Sequence, residues 1–166
     1  MWSAIKKHFS EYPAQEKVAM LLLKRGLSVK EGRIYCDTIE LPPAKMARAI
    51  GVDRRAVSAA ASTISKNPEL RKVYANLQST AYFNEVAQKM GWGVIKIIPT
   101  DPALPGILAG VAAIMAKERI QIRQAVTEDP ELAEEATMTI ITEKPIPPKL
   151  IPKLKAAKGV KSILIL

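Results

Sequence analysis

Two short stretches of this 166-residue chain carry side chains whose types and spacing could do chemistry. The first is Ala47-Arg48-Ala49-Ile50-Gly51-Val52-Asp53-Arg54-Arg55-Ala56-Val57. Ala47 is small enough to let two helices approach closely. Gly51, four residues on, can take the positive φ of a tight turn, and Val57 can pack a second helix back against the first. Arg54, Arg55 and Ser58 would then open that second helix, and an arginine there can bind guanine through two hydrogen bonds. Lys45, Arg48, Ser62 and Lys66 would flank them and suit phosphate contacts. The bland alternative is a solvated face of a packing module, since the small residues from Ser58 to Thr63 admit another helix as readily as a groove. The second stretch is Asp101-Pro102-Ala103-Leu104-Pro105-Gly106-Ile107. A helix opening at Pro105-Gly106 would present free N–H groups and a partial positive charge, which suits a carboxylate. Gly106 would leave the backbone approachable, Asp101 could take an α-ammonium group, and Leu104 and Ile107 would see a ligand's side chain. The alternative here is a good helix start and nothing more.

Catalysis lacks material. The chain has one histidine, His8, and one cysteine, Cys36, so no internal disulfide and no Cys/His metal cluster can be drawn. A nucleophile–base pair would need His8 to reach Cys36 or a serine from an N-terminal arm. The acidic run Glu128-Asp129-Pro130-Glu131 with Glu134 and Glu135 lacks the alternating spacing of a calcium loop and reads as a solvated hairpin loop. No enzyme activity, metal or cofactor is therefore expected. Lys6 and Lys7 are followed by no apolar run, so no signal peptide is expected. The longest apolar run, Gly106 to Ala116, is far short of the ~20 residues a membrane span needs. A cytoplasmic protein without a membrane partner is the expectation. The net charge of +9 is uneven. Residues 1–90 hold 15 basic and 8 acidic side chains, a net +7, and residues 91–166 hold 10 and 8, a net +2. A basic front half points to a polyanion.

The elements that must position these residues can be read in outline. Pro13 to Arg25 is a helix, with Pro13 suited to its first position and Gly26 to its stop. Arg33 to Leu41 is β-rich and reads as a strand or extended link. A short helix from Ala44 to Ile50 follows Pro42-Pro43, and Gly51-Val52-Asp53 turns the chain. Asp53 is the N-cap of a helix from Arg54 to Lys66. Asn67-Pro68 breaks the pattern. Helix then resumes at Glu69 and is expected to run to about Met90, with Gly91-Trp92-Gly93 as the boundary. Beyond it come a strand (94–99), a helix (105–117), two strands (120–127 and 136–142), a helix (147–158) and a strand (160–166). Ile107, Leu108, Val111, Ile114 and Met115 fall on one helix face.

Two resemblances sharpen this outline. Residues 43–66, with the Ala47–Gly51–Val57 spacing, resemble the helix-turn-helix family, which implies a recognition helix in the major groove of DNA. The order of the last 73 residues fits a ferredoxin-like sheet with both helices on one face. Within it, Pro105-Gly106-Ile107-Leu108 resembles the Pro-Gly-x-Leu signature of the ACT domain, an amino-acid-sensing module. Arg119-Ile120-Gln121-Ile122 stands where that family usually shows Gly-Ile-Asn-Ile. Two departures touch the pocket. Asp101 sits four residues before Pro105 rather than two, and Gln121 replaces the usual Asn, so the effector is not carried over. In ACT dimers the pocket lies between subunits, which implies Gln121 and Arg123 arriving from a partner. The whole arrangement is similar to archaeal regulators of amino-acid metabolism that join a helix-turn-helix to an ACT domain.

The expected fold class is α+β. A helix-turn-helix DNA-binding domain spans residues 1–78, a connecting helix or linker 79–92, and an ACT-like ligand-binding domain 93–166. The expected function is amino-acid-responsive transcriptional regulation by a homodimer, with the segment from Glu69 to Met90 as transmitter. The alternative is a dimeric metabolite-binding regulatory subunit that docks on an enzyme.

Overall fold

The computed structural model describes residues 1–166 and divides them into two compact units, Met1–Ala81 and Tyr82–Leu166. Both mix helices with an antiparallel sheet. No helix is long and apolar enough to cross a membrane.

The first unit is built around helix α4. Helix α1 (Trp2–Lys6) runs through a 3-10 turn, Lys7–Phe9, towards helix α2 (Pro13–Arg25). Strands β1 (Ser28–Lys30), β2 (Arg33–Cys36) and β3 (Ile39–Glu40) form a three-stranded meander in the order β1-β2-β3. Helices α3 (Pro43–Ile50), α4 (Arg54–Lys66) and α5 (Pro68–Tyr74) follow. The apolar side of α4 (Val57, Ala60, Ala61 and Ile64) is fully enclosed, α4 packs against α2, and Phe9, Val18 and Leu22 are buried in the same unit. Burying large side chains of this kind stabilises by ~1.5–3 kcal/mol each. The hairpin tip is tied to the same helix, because the Gly32 amide donates to Ser65 Oγ at 2.7 Å. Tyr74 is buried and donates its hydroxyl to the carbonyl of Ala19 at 3.0 Å, which locks α5 to α2. Burial alone pushes its phenol pKa up.

The expected helix from Glu69 to Met90 does not form. Helix α5 stops at Tyr74, residues 77–83 are irregular, and only helix α6 (Asn84–Ala87) and a 3-10 turn, Gln88–Met90, follow. The cause is tertiary. Ser79 Oγ donates to the carbonyl of Arg25 at 2.8 Å, capping the end of α2, and accepts from Cys36 Sγ at 3.6 Å. Gln78 lies so close to Gly26 that any Cβ there would collide with the Gln78 carbonyl. The chain leaves the helix to make these contacts. The meander holds two strands more than the single strand or extended link expected from Arg33 to Leu41, because that stretch folds into β2 and β3 and Ser28–Lys30 pairs back on Arg33–Tyr35.

The second unit is a four-stranded sheet with strand β4 (Gly93–Pro99), helix α7 (Ile107–Lys117), strands β5 (Ile122–Thr127) and β6 (Met138–Thr142), helix α8 (Ile151–Lys155) and strand β7 (Val160–Ile165). The strand order is β5-β6-β4-β7, and every neighbouring pair is antiparallel. This is the split βαββαβ arrangement expected from the element order. The register sets Ile95 opposite Ile140 and Ile97 opposite Met138. These side chains share one core with Val111 and Met115 of α7 and Leu154 of α8, so both helices cover the same face. On the other face Val94 and Ile141 pack with Ala87 and Trp92.

Candidate functional site

Two regions bring sequence-predicted residues together. The first is the α3–turn–α4 pair. Pro43 opens α3 at its first position, where the missing N–H costs nothing. Gly51 ends it at φ 66°, and the Val52 amide reaches back to the Ala47 carbonyl at 3.0 Å. Asp53 caps α4, with Oδ1 accepting from the Arg55 amide at 2.7 Å. Ala47 and Val57 are both buried, as their spacing requires. The polar side of α4 then carries Arg55, Ser58, Ser62 and Lys66 along one stripe, with Arg54 at its flank. Arg54, Arg55, Ser58 and Lys66 are exposed and Ser62 is half-buried. Arg54, Arg55 and Ser58 share a shallow concavity with Pro42, Pro43 and Ala44 at the start of α3. Lys45 and Arg48 are exposed on α3 itself. None of these five cations has a carboxylate within ion-pairing distance, whereas Lys6 and Arg33 elsewhere in the unit pair with Glu16 and Glu40 at 3.2 Å.

The second region is a cleft of about 510 Å³ at the end of the sheet where β4 and β5 finish. One wall is the loop into α7 (Pro102, Leu104, Gly106, Ile107 and Leu108), and the other is the β5–β6 hairpin from Thr127 to Pro130 and from Ala136 to Met138. Ile97 and Pro99 contribute from β4. Helix α7 starts later than expected. Gly106 has φ 92°, outside the helical region, so the first helical residue is Ile107, and no side chain caps the first-turn N–H groups. The cleft wall is clamped from behind by Gly159. At φ 84° its Cα leaves no room for a side chain, since a Cβ would lie 2.8 Å from both Leu104 Cδ2 and Ile107 Cγ1. Thr100 fixes that approach by donating its amide to the Gly159 carbonyl at 2.9 Å.

The predicted ligand residues divide. Leu104, Gly106 and Ile107 line the cleft, with Pro105 between them in the chain. Asp101 does not line it. Its Oδ1 accepts from the Ala103 amide at 2.9 Å, a local turn contact that shapes the loop. Gln121 and Arg123 do not line it either. They lie at the start of β5, the far end of the strand, and Arg123 stacks on the Trp92 ring at 4.0 Å from its centroid. Trp92 in turn meets Phe83 edge-on at 6.0 Å.

Three cleft features escaped the sequence reading. Glu128 and Asp129 form the hairpin lip, and no lysine or arginine lines the cleft. Glu128 Oε2 accepts from the Thr137 hydroxyl at 2.7 Å and amide at 3.0 Å, which holds the carboxylate in place beside buried Thr137. Asp129 Oδ1 accepts from the Glu131 amide at 2.8 Å. Gly159 is the third. The acidic run was visible in the sequence, but its position over a loop more than twenty residues away follows only from the strand order. No group of three or more His, Cys, Asp or Glu side chains converges as a metal site would require. At the surface between α7 and α8, Lys153 Nζ donates to Glu118 Oε1 at 2.7 Å, and this hydrogen bond and charge hold the Glu118 carboxyl below its usual range.

No family model matches the chain, and no curated protein matches it. Among solved structures, the ACT domain from GTP pyrophosphokinase of Chlorobium tepidum superposes with a TM-score of 0.35 at 19% identity, covering 45% of this chain and 96% of that one. The structure of PH0061 superposes with a TM-score of 0.31 at 12% identity, covering 90% of this chain and 88% of that one. Both scores are low, and neither superposition assigns a fold or a function.

Proposed function

We propose that the chain is a DNA-binding transcriptional regulator that responds to an amino acid, and that it catalyses no reaction of its own. One observation carries this reading: the α3–turn–α4 pair gathers five exposed cations, none of which has a carboxylate within ion-pairing distance. Read as a helix-turn-helix, the pair uses α4 as its recognition helix. Arg54, Arg55 and Ser58 read base edges, while Lys45, Arg48, Ser62 and Lys66 hold phosphates. The protein acts as a homodimer in the cytoplasm.

The cleft supports the sensing half. An uncapped helix N-terminus suits a carboxylate, two carboxylates on the opposite lip suit an ammonium, and Leu104, Ile107, Leu108 and Met138 suit an apolar body. That is the chemistry of an apolar amino acid, and it agrees with the ACT resemblance of Pro105-Gly106-Ile107-Leu108. It moves the ammonium role from Asp101 to Glu128 and Asp129.

The test is duplex DNA binding by fluorescence anisotropy across a salt series. Phosphate contacts release counterions, so log affinity should fall steeply with log salt. Arg54→Ala with Arg55→Ala should weaken binding by ~100-fold or more, at about 1–3 kcal/mol per bidentate contact. A flat salt slope with no effect of the double substitution sinks the DNA half and favours docking on a protein.

A further inference from the structure

The charges of the second unit are sorted. Residues 128–135 hold five carboxylates and no cation, and they include the lip of the cleft. Residues 144–161 hold six lysines and no carboxylate, and all six lysines are exposed. The modest net charge of residues 91–166 conceals this separation. The basic side is built by two elements. Lys149, Lys153 and Lys155 lie on the 3-10 turn Pro148–Leu150 and helix α8, whose Leu150 and Leu154 are buried, so the lysines take the outward arc. Lys117 and Arg119 close helix α7, which packs on α8. Glu118 is the one carboxylate among them. It accepts from Lys153 at 2.7 Å, and the hydrogen bond and charge of Lys153, with the charge of Lys149, hold its carboxyl below the usual range. Lys117, Arg119, Lys149 and Lys155 have no carboxylate within ion-pairing distance.

Arg119 stands out within this group. Its φ of 53° is left-handed, a conformation glycine adopts freely and a residue with a Cβ does not. The turn itself closes through the backbone, with the Arg119 amide on the Ala116 carbonyl and the Ile120 amide on the Met115 carbonyl, both at 3.0 Å. The chain thus keeps a guanidinium where the backbone favours glycine. Between Leu108 and Leu164 no large apolar side chain is exposed. A membrane-surface helix needs apolar side chains to insert, and a protein interface needs an apolar centre. Cations without either suit phosphates.

We propose that Lys117, Arg119, Lys149 and Lys155, beside the Lys153–Glu118 tie, form a second phosphate-contacting face for duplex DNA, one that holds the backbone and reads no bases. The choice of duplex DNA as the polyanion rests on the proposed function; the unpaired charge of the face does not. Helix α7 sets its basic end ~16 Å from the acidic lip, beyond the ~8 Å over which exposed charges act at physiological salt, so the lip does not repel what the face holds.

Fluorescence anisotropy of the full chain on duplex DNA of arbitrary sequence, across a salt series, tests the face. Arg119→Gly with Lys149→Gln and Lys155→Gln removes three cations, leaves the Lys153–Glu118 pair in place and relieves the left-handed position, so the melting temperature should hold or rise. The slope of log affinity against log salt should become shallower by about 2–3, at ~0.9 per phosphate contact, and affinity at ~0.1 M salt should fall ~100-fold. Lys24→Gln with Lys72→Gln and Lys89→Gln removes three exposed lysines elsewhere and should change the slope by less than about 1. Arg54→Ala with Arg55→Ala separates the two readings. If that pair is silent while the triple substitution weakens binding, the α4 reading fails and the second face stands; the reverse overturns the second face alone. No DNA binding by the wild-type chain, a triple variant that binds like wild type, or a control that loses as much would each overturn the proposal. So would binding to phosphatidylserine vesicles that the triple substitution abolishes while DNA affinity is kept, which would assign the face to a membrane.

Discussion

The α4 face and the cleft are built in opposite ways. The α4 face holds unpaired cations in the open, on a helix whose other side is fully buried. Its rigidity comes from its own unit: Asp53 caps it, Ser65 ties it to the hairpin and α2 packs along it. The cleft is concave, its walls are mostly apolar, and its charged side chains are carboxylates on a loop. Its shape depends on a glycine contact from a distant turn. Charge presented on a rigid, exposed element suits a polyanion, whose affinity is long-ranged and salt-dependent. Apolar walls with a few fixed polar groups suit a small molecule, which must be held by shape.

The contrast can be broken or sharpened by substitution. The largest effect is expected at Gly159. Gly159→Ala sets a side chain at φ 84° and against Leu104 and Ile107, and should destabilise the second unit by roughly 2–4 kcal/mol. Denaturant unfolding followed by tryptophan emission should show that loss, and DNA affinity of the folded protein should be unchanged. An equal loss of DNA binding would mean that the two regions are not separable. Next comes the cleft's lip. Glu128→Gln keeps an acceptor for Thr137 but removes the charge, and should weaken amino-acid binding by ~10–100-fold, the scale of a hydrogen bond to a charged group. Asp101→Asn, whose side chain serves its own loop, should change it less than about twofold. Calorimetric titration separates the two, and the reverse ranking would return the ammonium role to Asp101. The smallest effect is at Tyr74. Tyr74→Phe removes its bond to Ala19 and should cost about 1 kcal/mol in the first unit alone. Its folded pKa is raised above the ordinary 10.0, so the stability tied to its neutral form is present below that pH and declines as pH rises past it. Melting curves from pH 8 to 11 should show an alkaline decline in wild type that the Phe variant lacks.

The parts legible in the sequence were those fixed by neighbours in the chain. Asp53 caps α4, Gly51 turns the chain before it, Asn67 stops α4 and caps α5 through the Glu69 amide, and the strand–helix order of residues 93–166 follows hydrophobic alternation. The parts missed were fixed by distant residues. After Tyr74 the Asn76 side chain caps the Lys72 carbonyl, and Ser79 then carries the chain away by bonding to the end of α2, some fifty residues earlier. Likewise, the acidic lip comes to the Pro-Gly junction only because β6 lies between β4 and β5. The charge of Asp101 and its nearness in sequence point to a ligand role, but the sequence does not show that its Oδ1 accepts from the Ala103 amide.

The central claim is that one chain reads a metabolite and reports it on DNA. The most direct measurement is the affinity of the full chain for duplex DNA, at fixed salt, with and without each of the twenty amino acids at saturating concentration. One or a few apolar amino acids should change that affinity by about 5–150-fold, the usual range of coupling between two sites. Identical affinities across the whole panel would contradict the claim, whatever either region binds alone.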